Sequence, residues 1–416
     1  MSIKNVVKKI LPDDVIVQMK ALLENRNNHA MLQKAKGIAA FEKEKYPYGI
    51  NLIGDIKAET GLGQSMRILA GILEQAQIPF CVIQVDSPGG LKHSDTKWEH
   101  KISAEGKYNI NLIHVNPNVW AEIYNALPQE LLNGRYQIAY WLWELEEFPK
   151  EWVPCMDTVD EIWAPSDFIC ASIRACTEKT VVRIPYTIQL EQEMHYPRGY
   201  FSLPENQFLY LIMYDFKSIS ERKNPKGALE AYKQAFPIER NDVGLVIKVN
   251  HLKGSKEMQE LQEELKDYKN VYFLTENMSR VEVESLIASV DVLVSLHRSE
   301  GFGLPMAEAM ALGTPVICTN WSATTEFMDD SCACLTDYQL ITLEKRIGPY
   351  KKGSRWADAD IRQAAEYMAQ LWKQRERYDS LREMAQKKVH EYLSFEKVRT
   401  AICERMKLIS GKCVEE

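Results

Sequence analysis

Apolar and polar positions along the chain fall into two rounds of one alternation. Short apolar runs predict strands at Tyr48 to Gly54, Phe80 to Val85, Tyr108 to Val115, Gln137 to Leu142, Glu161 to Ala164 and Val181 to Pro185. Helix-period segments stand between them: Gly63 to Gln75 is one, and Pro165-Ser166 opens another. Irregular sequence with Pro197, Gly199 and Pro204 then predicts a linker over 191–206. The alternation restarts with strands at Phe208 to Tyr214, Val243 to Val249, Val271 to Leu274, Asp291 to Leu296 and Pro315 to Cys318, and a helix from Pro225 to Phe236. Strands alternating with helices predict βαβ units and parallel sheets covered on both faces. The expected organisation is α/β, with two doubly wound Rossmann-like domains at 46–190 and 207–390, a helical extension at 1–45 and a helical, charged end at 391–416. Ligands of open α/β sheets bind at the carboxyl ends of the strands, so two such domains set those ends across a cleft.

Composition narrows the function classes. The 416 residues are 45% hydrophobic and 26% charged, the balance of a globular protein of two or three domains. With 51 basic against 58 acidic side chains the net charge is −7, which argues against a nucleic-acid partner but not against a local anion pocket. Nine cysteines without a C-x-x-C pair predict small buried thiols in a reducing compartment rather than zinc or disulfides. Met1 to Lys9 lacks the core of a signal peptide and no apolar run approaches the ~20 residues of a membrane span, so a cytoplasmic protein is expected. Lys4, Lys8 and Lys9 beside Val6, Val7, Ile10 and Leu11 offer two readings: a helix packed on its own domain, or peripheral contact with anionic lipid at the inner membrane face.

The most informative segment is Asp291 to Thr319, DVLVSLHRSEGFGLPMAEAMALGTPVICT. A strand ends at Leu296, and His297 to Glu300 lead into Gly301-Phe302-Gly303. Pro305 suits the first position of a helix over Pro305 to Leu312, and Gly313 the residue past its end. A glycine-rich loop before a helix start presents free N–H groups and the positive end of the dipole, a geometry that binds phosphate. Glu300 in the loop and Glu308 in the helix's first turn would repel a phosphate, so their oxygens suit sugar hydroxyls; dipole complementation is the bland account of Glu308.

These residues resemble the E-x7-E signature of the retaining family 4 glycosyltransferases of the GT-B fold, bacterial type. RKNPKGALEAYKQAF (Arg222 to Phe236), GDIKAETGLGQSMR (Gly54 to Arg67) and WLWELEEFPKEW (Trp141 to Trp152) extend the resemblance. It implies a metal-independent enzyme that moves a sugar from a nucleoside-diphosphate donor, UDP-, GDP- or dTDP-linked, to an acceptor hydroxyl of a glycan, lipid-linked or small-molecule acceptor. It also implies a donor site mainly on the second domain, an acceptor site mainly on the first, and a terminal helix crossing back to the first. Glu300 would then meet the donor sugar and Glu308 the ribose, while Gly301, Phe302, Gly303 and Leu304 would meet sugar and diphosphate through backbone amides.

The same resemblance gives the remaining groups their roles. Lys223, and less so Arg222, would contact the diphosphate, where the bland account is a solvated charge pair. Lys217 replaces an arginine of the family pattern, which leaves the second phosphate cation open. Gly61 and Gly63 would lie against the donor phosphates, Thr275 belongs to the stretch expected to read the base, and His297 is either loop packing or a donor contact. His114 ends a strand and is the expected active-site histidine, with Asn116 its competitor for that place. Trp143 and Glu144 suit an acceptor wall of aromatic face and carboxylate. Asp358-Ala359-Asp360 is read as a helix cap rather than a metal motif, and no metal or cofactor is expected. Two competing functions stay open: an NAD-dependent or epimerase-type enzyme, resting on Gly61-Leu62-Gly63 and Asp86, and a catalytically silent nucleotide-sugar sensor.

Overall fold

The apolar runs become strands of two parallel sheets in the computed structural model, which describes residues 13–87, 93–188, 190, 196–250 and 256–411. The first sheet has the order β2-β1-β3-β4-β5-β6. Its strands are β1 (Ile50–Gly54), β2 (Phe80–Gln84), β3 (Ile110–His114), β4 (Tyr136–Tyr140), β5 (Glu161–Ala164) and β6 (Thr180–Arg183). The second has the order β12-β11-β10-β7-β8-β9. It comprises β7 (Phe208–Asp215), β8 (Val243–Asn250), β9 (Val271–Leu274), β10 (Val292–Ser295), β11 (Val316–Thr319) and β12 (Cys334–Thr336). Neighbours in both pair in parallel, as β1 with β3 and β7 with β8.

Helices cover both faces, which is why β1 is buried at every residue. The polar residues inside the first sheet satisfy one another. Asn51 donates to Asn111 (2.8 Å), Asn111 to Gln137 (3.0 Å) and Gln137 to the Leu132 carbonyl (2.8 Å). This amide ladder runs across β1, β3 and β4, so polar letters inside apolar runs cost little here. Each sheet is followed by helices whose starts are capped: Thr60 accepts from Gly63 N at the Gly61–Gln75 helix, and Ser279 and Glu282 form a capping box at Arg280–Ser289.

The Asp13–Lys36 helix lies on the first domain, where Lys34 Nζ donates to the carbonyls of Tyr124 (2.9 Å) and Asn125 (3.0 Å). Lys4, Val6, Val7, Lys8, Lys9, Ile10 and Leu11 lie outside the described residues. Among the described residues no helix is long and apolar enough to cross a membrane. At the other end Asp360 caps the Ile361–Lys373 helix by accepting from Gln363 N at 3.0 Å. Asp358 faces Arg298 at 2.9 Å, so both carboxylates of the D-x-D have partners. The Phe395–Ser410 helix buries Val398, Ile402 and Met406, packs against Gly61–Gln75, and sends Arg405 Nε to Glu161 of β5 at 3.2 Å.

One element has no counterpart in the sequence reading. Strands β13 (Tyr338–Thr342) and β14 (Arg355–Ala359) form an antiparallel hairpin that leaves the second domain. Leu343, Tyr350 and Trp356 insert into the core of the first domain beside Trp143 and Phe148. Elsewhere the Glu326 carboxylate accepts from the N–H groups of Asp167 (3.0 Å) and Phe168 (2.9 Å), capping a first-domain helix from the second domain.

Candidate active site

The carboxyl ends of β7 and β10 support two loops that are laced together. Arg298 N donates to the Arg222 carbonyl at 2.8 Å, and Asn224 Nδ2 to the Leu296 carbonyl at 2.9 Å. Asn224 adopts φ +51°, a left-handed conformation in which its Oδ1 caps the Pro225–Ala235 helix. The lacing brings Lys223 and Glu300, 77 residues apart, to 2.5 Å. Arg222 Nη1 approaches the same Glu300 oxygen at 3.2 Å and donates to the Ser299 carbonyl at 2.7 Å. Its Nε is buried without a partner. A hollow beside this cluster is lined by Tyr214, Lys223, Ser295, Leu296, Pro305 and Met306.

Burial alone would raise the Glu300 carboxyl, but the charges of Lys223 and Arg222 overcome it and hold the group down at about 2. Burial lowers Lys223, with Glu300 opposing. Burial also works against Arg222, and Glu300 and Glu144 reverse the effect and raise it. Glu300 is therefore an anion and Arg222 a cation at any ordinary pH.

Past Glu300 the chain makes close approaches that only glycine permits. A Cβ on Gly301 would lie 2.7 Å from the Trp143 carbonyl oxygen. Gly303 sits at φ +96° and starts the observed helix, Leu304–Ala311, one residue earlier than expected. Glu308 consequently lies in the second turn rather than the first, 4% exposed, with Arg280 Nη2 2.6 Å from its Oε1. Phe302 packs edge-on against Tyr186 at 4.7 Å, and Leu304 opens the helix.

The other expected site residues are placed as follows. His114 is buried, with Nε2 2.6 Å from Ser65 Oγ, which in turn donates to Tyr186 OH at 2.6 Å. Tyr140 stacks on the imidazole, and burial lowers it to about 4. Asn116 Oδ1 accepts from Leu142 N at 3.0 Å and holds the end of β4. Trp143 is buried between Trp152 and Tyr350, its indole N–H on the Glu147 carbonyl. Glu144 accepts from Tyr350 OH at 3.2 Å and lies 3.9 Å from Arg222. His297 is fully buried between Ser295 Oγ and the Trp321 carbonyl and is lowered to about 4 by burial. Gly61 faces open space, whereas a Cβ on Gly63 would collide with the Ala58 carbonyl at 2.0 Å. Thr275 is half-buried at the end of β9, and the Lys217 side chain lies outside the described residues.

Arg280 at Glu308, Ser322, whose Oγ accepts from Glu300 N at 2.9 Å, Tyr350 at Glu144 and Tyr186 at Ser65 were not foreseen. Each comes from a distant segment, and nothing in its local sequence marks it. Among the described residues one group has atoms spaced for a metal, Asp55, Asp86 and His93 on the first domain. Asp55 already accepts from Gln84 (2.8 Å) and Ser87 N (2.9 Å) and meets His93 at 3.1 Å.

Residues 204–332 match the model of the family "glycosyl transferases group 1". No relative was found among curated proteins. Among solved structures the chain is similar to sucrose-phosphate synthase of Thermosynechococcus elongatus (14% identity, 88% of this chain and 100% of that one, TM-score 0.63). It is similar also to Anabaena Alr3699/HepE in complex with UDP-glucose (15%, 87% and 100%, 0.62). A variant of S. aureus TarM in complex with fondaparinux, α-GlcNAc-glycerol and UDP shares 12% identity over 71% of this chain (TM-score 0.54), and the chain spans about half, 55%, of its length. The two six-stranded parallel sheets and these likenesses define the fold as GT-B.

Proposed function

We propose that the protein is a retaining glycosyltransferase of the family 4 type, moving a sugar from a nucleoside-diphosphate donor to an acceptor hydroxyl in bacterial glycan or glycoconjugate synthesis. The observation that carries this reading is the Glu300 carboxylate held by Lys223 and Arg222 beside a glycine-rich helix start. Two cations on one carboxylate form a ready anion site, in which Glu300 holds the place a diphosphate would take. On donor arrival the diphosphate meets Lys223, Arg222 with its orphan Nε, and the N–H groups of Gly303 and Leu304, while Glu300 is released to accept from donor-sugar hydroxyls. The family match over 204–332 covers this whole apparatus.

Breaking the sugar–phosphate bond moves negative charge onto the leaving diphosphate, and fixed cations in a buried site stabilise it at little reorganisation cost. In the front-face course proposed here the departing phosphate oxygen takes the proton of the incoming hydroxyl, so orientation and charge are the protein's contribution. His114 stays neutral and serves as a hydrogen-bonding group facing Ser65. Arg222 and Lys223 supply the stabilisation that a metal would otherwise give.

The test is release of nucleoside diphosphate from UDP-, GDP- and dTDP-sugars, with the anomeric configuration of the product read by NMR. Turnover in excess EDTA with retained configuration is expected. Inversion, or loss of activity restored by manganese, contradicts the reading, and binding without turnover would leave a sensor.

A further inference from the structure

The sequence marks Pro165-Ser166 as a helix opening, and Ser166 does cap the Asp167–Arg174 helix: its Oγ accepts from Ile169 N at 3.3 Å. The proton of the same hydroxyl goes to the other domain. Ser166 Oγ donates to the Gly301 carbonyl, 135 residues away in the chain, at 2.8 Å, and Ser166 has no exposure. One hydroxyl thus closes a helix start in the first domain and holds the glutamate loop of the second. A second crossing lies one residue before Glu300, where Ser299 Oγ donates to the Glu144 carbonyl of the first domain. Glu300 itself is tied within its own domain, its N–H to Ser322 Oγ at 2.9 Å and its carbonyl to Ala323 N at 3.3 Å. The residues on either side of Glu300 are therefore fastened to the first domain, and Glu300 between them to the second.

A trans peptide is planar and rigid, so fixing the Gly301 carbonyl also fixes the Phe302 N–H, which points the opposite way. We propose that Ser166 is a positioning residue for transfer: by holding the Gly301 carbonyl it sets the direction of the Glu300 carboxylate and of the Phe302 N–H, so that the reacting geometry is complete only when the two domains meet. The inference rests on the donor reading above and adds to it a residue of the first domain. Lys223 and Arg222 belong to the second domain, so Ser166 acts on turnover rather than on the hold on the diphosphate. A reacting group displaced by about an ångström loses roughly 10²-fold in rate.

Two variants of the full chain separate the two bonds of this hydroxyl. Glycine caps a helix nearly as well as serine, so Ser166→Gly keeps the helix start and removes the link to Gly301. Glu326 still caps the same helix from the second domain at Asp167 N and Phe168 N, so the domains stay docked. Ser166→Thr keeps both an accepting oxygen and a proton to donate. Each protein is titrated calorimetrically with UDP, GDP and dTDP, and release of the diphosphate from the corresponding sugars gives kcat and KM. Ser166→Gly should bind the preferred diphosphate within about threefold of native and lose roughly 10–100-fold in kcat at little changed KM, the mark of an interaction made in the transition state. Ser166→Thr should restore kcat to within about threefold of native. Native kcat in Ser166→Gly, an equal loss in the glycine and threonine variants, or a diphosphate affinity that falls in step with kcat overturns the proposal. A native chain that binds none of the three diphosphates, or releases none from its sugars, overturns the transfer reading itself.

Discussion

At the Glu300 carboxylate two opposing effects meet, and their balance sets the chemistry of the site. Burial favours the neutral acid; Lys223 and Arg222 favour the anion and prevail, holding the group at about 2. Lys223→Ala removes the nearer cation, and Glu300→Gln removes the hydroxyl acceptor's charge. Each should lower turnover by roughly 10²–10³-fold while circular dichroism stays native, and near-normal turnover in folded Lys223→Ala would take that residue out of the diphosphate site. The lowered Lys223 also predicts an alkaline limb: transfer should fail with rising pH sooner than a free lysine would allow, and Lys223→Arg should push that limb upward. Acid acts on stability instead. His114 and His297 sit at about 4 when folded and near 6.5 unfolded, so between pH 6.5 and 4 only the unfolded chain takes up their protons. Below about 4.5, Glu300 adds to this, since the unfolded carboxyl protonates before the folded one at about 2. Melting temperature should therefore fall as pH drops through both windows, and His114→Gln should flatten the first. Glu300, Lys223 and the glycines stood out in the sequence because each lies in a loop at the carboxyl end of an apolar run, Lys223 after β7 and the others after β10. Arg280 and Ser322 did not, because their roles exist only once chains 20 or more residues apart are folded together.

Among elements, the strands were legible almost throughout, since a parallel strand buried on both faces must be an apolar run. The β13–β14 hairpin was not. Half of it is exposed, its strands alternate weakly, and a long charged loop separates them, so no apolar run announces it. Its aromatic residues nevertheless lock the second domain to the first. Trp356 is 2% exposed, and Trp356→Ala should cost about 3–5 kcal/mol by emptying that packing. Urea unfolding of the variant, followed by tryptophan fluorescence, measures it. A loss under 1 kcal/mol would mean that the hairpin lies on the surface. The hairpin also delivers Tyr350 to Glu144 at 3.2 Å and packs it beside Trp143.

Across the whole molecule the net charge is −7, while Arg222, Lys223 and Arg280 stand beside Glu300 and Glu308 at the carboxyl edge of the second sheet. The domains are joined by charges as well as by packing: Arg405 of the last helix meets Glu161 of β5, a carboxylate with no exposure. Arg405→Met strands that charge and should destabilise the first domain by about 3–5 kcal/mol, while Arg405→Met with Glu161→Gln should recover most of it in a double-mutant cycle. The two-domain plan was legible from the repeated alternation. The closeness of the domains was not, because it depends on pairs such as Ser166 with Gly301 that no periodicity encodes.

The central claim is that the Glu300 loop and Lys223 bind a nucleoside-diphosphate sugar. A thermal-shift series of UDP-, GDP- and dTDP-sugars with NAD as comparison tests it most directly, because a ligand specific for the native state at about 100 times its Kd adds about 2.7 kcal/mol of stability. The account predicts that a UDP-, GDP- or dTDP-sugar raises the melting temperature of the native chain, that NAD does not, and that Lys223→Ala abolishes the rise. A rise with NAD alone, or an equal rise in the Lys223→Ala variant, would contradict it.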